Sequence, residues 1–177
     1  MKFTRAMRMA LCRPFVCTAI AVTLLMPLAG VSAAPADAPL AFPGAQGWAA
    51  HTTGGRGGKI LRVTTLAADG PGSFAEAVNS KGPRIVVFEV GGVIDLGVKT
   101  LNIREPYLTI AGQTAPQPGI TLIRGGLDIF AHDVVVRHIR VRPGDAGLPK
   151  MSGNDFDAIS TVGAHDVIVD HCSLTWA

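Results

Sequence analysis

The chain has 177 residues, of which 48% are hydrophobic and 16% charged, and its 16 basic and 13 acidic side chains give a formal net charge of +3. Four of the basic residues lie within residues 1–33, so the remainder has 12 basic residues against 13 acidic ones. Residues 34–177 are thus nearly neutral and lack the basic surface of a nucleic-acid-binding protein, so we expect no nucleic-acid partner.

Residues 1–33 have the organisation of a secretory signal peptide. A basic start is followed by the apolar run "VCTAIAVTLLMPLAG" and by "VSA", which predicts cleavage after Ala33. Pro27 and Gly30 interrupt the apolar run before the roughly 20 residues that a membrane-spanning helix needs. We therefore predict secretion, to the medium or the periplasm, with no membrane association afterwards. Of the three cysteines only Cys172 would remain, so no intrachain disulfide is expected.

The start of the mature chain contains one helix signal. Residues 34–41 form a Pro/Ala-rich leader, and "TTGGRGGK" (52–59) predicts a flexible approach to the first strand. No Ser or Thr follows its lysine and no helix pattern comes next, so it is not a phosphate-binding loop. In "PGSFAEAVNSKGP", Ser73 and Glu76 have capping-box spacing and Gly82-Pro83 ends the pattern. The sequence predicts a short helix that covers one end of the β-structure.

Short β segments recur after this helix with two offsets. "LTIAGQ" (108–113) aligns with "VVVRHI" (134–139) at an offset of 26, and "DVVVRHIRVRP" (133–143) aligns with "DVIVDHCSLTW" (166–176) at an offset of 33. Strand–bend–strand repeats without intervening helices are typical of a parallel β-solenoid. Residues 84–177 have room for about five coils of this kind.

The alternation within the repeats predicts which side chains face the core. Four apolar residues should point inward: Val134, Val136, Ile139 and Val141. Three arginines should point outward along one strip, either as a solvated face or to bind an anionic polymer: Arg137, Arg140 and Arg142. Val135 and Ile168 should also point outward, with nothing in the sequence to show what covers them.

Asp155 and Asp157 are the first candidates for a functional site. Residues i and i+2 of a strand share a face, so both carboxylates would point the same way and could bind a hard cation such as Ca²⁺. The alternative is a polar turn, "SGNDFD", in which aspartates bond to the backbone.

"DHC" (170–172) contains a second set of reactive residue types. Neighbouring residues of a strand point to opposite sides, so Asp170, His171 and Cys172 are not expected to form a nucleophilic triad. Cys172 would then be a small core residue. His138 and His171 fall at equivalent positions, and we expect stacked, hydrogen-bonded structural residues there in preference to metal ligands.

Several segments together resemble the bacterial pectate lyases of polysaccharide lyase family 1. The similarity runs almost continuously over residues 42–177 and includes "FPGAQGWAAHTTGGRGGKILRVTTL", "YLTIAGQTAPQPGITL", "VVVRHIRVRPGD" and "DFDAIST…DVIVDHCSLTW". The resemblance implies an all-β, right-handed parallel β-helix. It also implies Ca²⁺-dependent β-elimination of α-1,4-polygalacturonate, with Asp155 and Asp157 at the calcium cleft and Asp157 on the primary ion.

The resemblance also limits what this chain is expected to do. In the family, the other calcium carboxylates and the catalytic arginine lie on later coils, and no arginine here matches the catalytic position. We therefore expect a C-terminally incomplete, monomeric β-helix with no catalytic residue assigned and no lyase activity alone. A non-catalytic solenoid that binds acidic polysaccharide, or a nonfunctional fragment, are the alternatives.

Overall fold

The computed structural model describes residues 38–145, 147–149 and 156–176. The predicted signal peptide, most of the leader and Asp155 lie outside these residues. Within them the structure has twelve strands, one α-helix and one short 3-10 helix at Gly112–Thr114. No helix in this part of the chain is long and apolar enough to cross a membrane.

The strands form three parallel sheets. In chain order they are β1 (Lys59–Val63), β2 (Arg84–Phe88), β3 (Gly92–Asp95), β4 (Leu101–Ile103), β5 (Leu108–Ala111), β6 (Ile120–Ile123), β7 (Leu127–Ile129), β8 (Val134–Arg137), β9 (Ile139–Arg142), β10 (Ile159–Thr161), β11 (Val167–Asp170) and β12 (Ser173–Leu174). Sheet A has the order β1-β2-β5-β8-β11, sheet B β3-β6-β9-β12, and sheet C β4-β7-β10. Every strand pair is parallel, so the predicted parallel β-helix is confirmed.

The register confirms both predicted offsets. Leu108 pairs with Val134, 26 residues on, and Val134 pairs with Val167, 33 residues on. The prediction of five coils from residue 84 is wrong, because the described residues complete three coils (β2–β4, β5–β7 and β8–β10) and add two strands of a fourth. The connections between strands take up the remaining residues, and the longest lies between β9 and β10 and spans residues 143–158.

The core consists of apolar residues stacked from coil to coil. The four predicted inward residues, Val134, Val136, Ile139 and Val141, are at most 1% exposed. Each such side chain contributes about 1.5–3 kcal/mol when it leaves water. Cys172 is a free thiol and has no disulfide partner among the described residues. The repeated apolar burial therefore stabilises this part of the chain without a disulfide.

The helix α1 (Phe74–Asn79) covers the core beside the first coil, as predicted. Ser73 Oγ accepts a hydrogen bond from the Glu76 amide at 3.1 Å, and the Glu76 carboxylate accepts one from the Gly72 amide at 2.6 Å. Phe74 is fully buried, with its ring centroid 5.5 Å from that of Phe88. The helix is short, and its packing against β1, β2 and β4 fixes it in place.

Arg84 is a buried cation at the junction of α1 with the coils. It is 1% exposed and stands beneath Leu108 in the inward row of sheet A. Five hydrogen bonds join its guanidinium to main-chain carbonyls, those of Val78, Gly82, Glu105 and Pro106. Burial lowers the pKa of Arg84 from its usual value, and the charge of Glu105 opposes this shift. The side chain thus connects the end of α1 to the turn before β5.

The segment of residues 38–58, here called the N-terminal strap, lies on the outer face of sheet A. The Gly55 amide donates to Thr109 Oγ1 at 2.9 Å. A Cβ atom on Gly54 would lie 2.9 Å from a methyl group of Val135, so the strap runs directly over that residue. Val135 is therefore only 2% exposed, which supplies the cover that the sequence did not reveal. The prediction of a flexible approach at residues 52–59 is wrong, because its glycines allow close backbone packing.

Candidate functional site

Asp157 lies at the end of the long turn between β9 and β10. It is exposed, and it precedes β10 by two residues, so it is not in the strand that the sequence predicted. Its backbone rests on Gly126 of the coil below, where a Cβ atom would lie only 1.8 Å from the Asp157 carbonyl oxygen. No basic side chain of the described residues forms an ion pair with its carboxylate. The main chain of Asp157 is thus held in place by the coil below, and its carboxylate is accessible to solvent.

The arrangement around Asp157 suits a hard cation in part. An exposed carboxylate on a fixed backbone is a ligand that Ca²⁺ accepts, and the ion needs about six to eight oxygen atoms in all. Asp155 lies outside the described residues, so the structure places one of the two predicted ligands. The pairing of Asp155 with Asp157 around calcium remains a prediction.

The bend between sheets A and B brings His138, Asp170 and His171 together. His138 and His171 adopt φ values of 55° and 52°, and their rings stack with centroids 4.8 Å apart. His171 Nδ1 is 2.8 Å from Asp170 Oδ1, and Arg137 Nε donates to Asp170 Oδ2 at 2.7 Å. The predicted stacking is confirmed. The expectation that Asp170 and His171 point apart is wrong, because His171 forms a left-handed bend and not a strand.

The charges at this bend favour ionised Asp170 and neutral His138. Burial alone raises the pKa of Asp170, but hydrogen bonds from Arg137 and His171 outweigh it and leave the pKa below its usual value. The pKa of His138 is lowered by burial first and then by the charges of Arg137 and His171.

A second histidine stack lies at the bend between sheets C and A, just before the left-handed residues Asp133 and Asp166. The rings of His132 and His165 are 5.0 Å apart and nearly parallel, and Tyr107 meets His132 edge-on at 5.1 Å. Each histidine contacts the aspartate that follows it, through His132 Nδ1 to Asp133 at 2.9 Å and His165 Nδ1 to Asp166 at 2.8 Å. The sequence carries a signal for this stack, because "AHDVVVRH" (131–138) repeats as "AHDVIVDH" (164–171).

Asp133 connects this bend to the N-terminal strap. Its Oδ1 accepts hydrogen bonds from Thr52 Oγ1 at 2.9 Å and from the amide and hydroxyl of Thr53, both at 3.0 Å. Partial burial raises the pKa of Asp133, but the donors of His132, Thr53 and Thr52 outweigh this and lower it. The ionised carboxylate therefore stabilises the docked strap.

Replacing Asp133 should weaken the strap in a pH-dependent way. Because its folded-state pKa is depressed, the stability from Asp133 is present above the unfolded pKa of about 3.9 and is lost as the pH falls through the folded value. We expect Asp133→Asn to lose about 1–2 kcal/mol at pH 7, and the difference from wild type to shrink in strong acid. Urea denaturation of both proteins at pH 7 and in strong acid measures this effect.

Asp166 provides the matched control for Asp133. It occupies the equivalent bend one coil on, and its described side-chain partner is His165, with no bond to the strap. Asp166→Asn should change the free energy of unfolding by less than about half of the Asp133→Asn effect. Equal losses at the two positions would contradict a special role for the strap contact.

No protein-family model matches the sequence, but curated relatives do. "Probable pectate lyase C" of Emericella nidulans is 45% identical over 138 residues, which are 77% of this chain and 31% of that protein. The protein of the same name from Aspergillus fumigatus is 41% identical over 158 residues, 89% of this chain and 36% of that protein. Over most of its own length the chain is similar to members of the pectate lyase family. "Pectate lyase 5" of Ambrosia artemisiifolia is 32% identical over 148 residues, 74% of this chain and 36% of that protein.

A solved structure supports the fold. The crystal structure of Jun a 1, the major allergen from cedar pollen, matches with a TM-score of 0.54 and 20% identity, over 67% of this chain and 38% of that chain. At this identity the likeness concerns the fold alone, and it agrees with the predicted right-handed parallel β-helix. The chain spans about a third of the length of the curated pectate lyase relatives it matches.

The three arginines do not form the predicted strip. Arg137 belongs to sheet A, whereas Arg140 and Arg142 belong to sheet B beyond the bend at His138. Arg137 is paired with Asp170 and lies 3.7 Å from the Phe42 ring centroid. The prediction of one strip is wrong because the bend at His138 turns the chain into a different sheet.

The remaining two arginines also have structural contacts. Arg140 Nη1 donates to the Pro118 carbonyl at 2.8 Å, and the Arg142 guanidinium lies 5.5 Å from the Trp176 ring centroid. That none of the three arginines is the family's catalytic one stays a prediction.

Cys172 behaves as a small core residue, as expected. It packs partly buried against the hydrophobic core, and its thiol lies 3.4 Å from the Asp170 carbonyl oxygen. Burial raises the pKa of the Cys172 thiol, which disfavours the nucleophilic thiolate.

Proposed function

We propose that this chain forms the N-terminal coils of a secreted, calcium-dependent pectate lyase, which cleaves α-1,4-linked polygalacturonate by β-elimination. The observation that carries the proposal is the 45% identity to "Probable pectate lyase C" over 138 residues, which are 77% of this chain. Residues 1–33 support secretion, because they have the order of regions of a signal peptide.

Asp157, with Asp155, would hold the ion at the turn between β9 and β10. When bound to a substrate carboxylate, calcium supplies Lewis-acid stabilisation of the negative charge that builds up as the neighbouring C5 proton is removed. The contribution of this chain is positional: Gly126 fixes the Asp157 backbone, and the exposed carboxylate faces solvent where a polymer can reach it. We assign no general base to residues of this chain, and we propose that the 177-residue polypeptide alone gives no product.

A chimera tests the proposal directly. Residues 42–177 would replace the aligned segment of the Emericella nidulans relative, and release of unsaturated uronides from polygalacturonate would be measured with calcium and with a chelator. We expect calcium-dependent product from the chimera. Asp157→Asn should lower the rate by about 100-fold or more, since a Lewis-acid contact contributes several kcal/mol to the transition state.

Asp69→Asn is the matched control, because Asp69 is exposed and far from this turn in sequence. It should leave the rate of the chimera within about twofold of the parent value. A folded chimera whose rate is equal with and without the Asp157 carboxylate would overturn the assignment of the site. Binding of polygalacturonate without any product would instead favour the non-catalytic solenoid.

A further inference from the structure

We propose that His138, Asp170 and His171 form a binding site for a divalent transition-metal ion of the zinc class, separate from the turn that carries Asp157. Each residue offers one ligand atom, and these atoms all lie within 4.8 Å of one another. Among the residues that the structure describes, this is the only group of three such side chains. The inference does not depend on the proposed lyase activity.

The left-handed bends create this grouping. Asp170 pairs with Arg137 in register, so the bend at His171 lies directly above the bend at His138. The two imidazoles stack at 4.8 Å with an interplanar angle of 20°, and the same bend turns His171 Nδ1 to within 2.8 Å of Asp170 Oδ1. Two histidines from successive coils and one carboxylate thereby converge on one corner of the solenoid.

Arg137 orients the carboxylate of this group. Its Nε donates to Asp170 Oδ2, which leaves Oδ1 directed toward His171. Hydrogen bonds of this kind from outside the ligand set orient ligands and typically change metal affinity about 10–100-fold. The positive charge of Arg137 opposes a cation, although its guanidinium is held against the face of the Phe42 ring, with its central carbon 3.7 Å from the ring centroid. We therefore expect moderate affinity.

The ligand types select the class of metal. Two imidazole nitrogens and one carboxylate oxygen suit zinc, nickel or copper, whereas calcium prefers oxygen ligands throughout. Zinc–ligand distances of about 2.0–2.2 Å place tetrahedral ligands about 3.3 Å apart, so the widest pair must approach by roughly 1.5 Å. The His171 side chain is 66% exposed and has room to rotate. An open cleft of about 220 Å³ beside both histidines leaves space for a water molecule as fourth ligand.

Equilibrium dialysis of zinc against the full chain, without a polyhistidine tag, tests the site. Excess calcium should be present throughout, so that hard-cation sites do not contribute. We expect one zinc ion per chain, and His171→Gln and His138→Phe should each weaken binding by about tenfold or more. His138→Phe keeps a stacked ring and so guards against loss of fold. Cobalt should give the visible absorption bands of a low-coordinate site, and both variants should lose them.

His165→Gln is the matched control, since His165 belongs to the other histidine stack and its Nδ1 contacts Asp166. This variant should bind zinc as the wild type does. The proposal is overturned if the wild type binds no zinc, or if folded His138→Phe binds it with unchanged affinity. It is also overturned if His165→Gln loses as much affinity as His171→Gln, because zinc would then bind surface histidines without a specific site.

Discussion

Arg84→Met should destabilise the chain by about 3–5 kcal/mol, because it removes five hydrogen bonds donated by a charged group, each of which contributes about 1.5–3 kcal/mol before the relief of burying the charge is subtracted. Methionine fills similar space, but it leaves the carbonyls of Val78, Gly82, Glu105 and Pro106 without the donors they have in the structure. The bonds to the Val78 carbonyl are buried, so this group would retain its full desolvation cost when it loses its donors. The denaturant midpoint should fall, with the slope of the transition unchanged.

Arg62→Met is the matched control for Arg84→Met. Arg62 pairs with Glu89 on the surface, and its side chain is 64% exposed. Exposed pairs of this kind contribute about 0–1 kcal/mol. Arg84→Lys separates charge from geometry, since lysine keeps the charge but has three donors and no planar fork. If Arg84→Met and Arg62→Met have the same denaturant midpoint, the buried hydrogen bonds of Arg84 do not stabilise the fold as we infer.

Gly126→Ala, in the coil below Asp157, should be a strongly destabilising single-methyl change. The added Cβ would lie 1.8 Å from the Asp157 carbonyl oxygen and 3.0 Å from that of Ala158, so one coil must move away from the other. We expect a loss of about 3 kcal/mol, at the upper end for overpacked sites. In the chimera described above, the variant should also need more calcium for half-maximal activity, because the backbone of the ligand is displaced.

Gly163→Ala separates this steric effect from an ordinary glycine effect. Gly163 lies in the next turn of the same coil, has φ of 65°, and has no atom within 4 Å of an added Cβ. Its replacement should cost about 1–2 kcal/mol through backbone strain alone and leave the calcium requirement unchanged. A smaller loss for Gly126→Ala than for Gly163→Ala would show that the coils are not in the close contact described.

The strand pairing could be predicted from the sequence because each coil repeats the same alternation. Val134 and Val167 occupy one row, and a shift of either by one residue would turn an apolar row toward solvent. The helix was also predictable, since Ser73 and Glu76 interact locally and need no information from elsewhere in the chain.

The parts that escaped prediction depend on bends and on distant contacts. The repeat places His171 at a bend, but nothing local to it indicates a left-handed backbone, and that one backbone angle decides whether Asp170 faces it. The position of Arg84 in an inward row runs against the apolar alternation, and carbonyls from two other segments make it possible. Thr53 and Asp133 are 80 residues apart, and no periodicity connects them.

That separation also has a consequence for the order of folding. The strap is synthesised before any coil, yet its bonds to Asp133 require that β8 already stands on β5 and β2. Contacts so distant in sequence carry a large loop-closure cost and form late. We therefore expect the strap, which emerges before the coils, to be among the last segments to dock, and until then the outer surface of sheet A over Val135 would stay open to water.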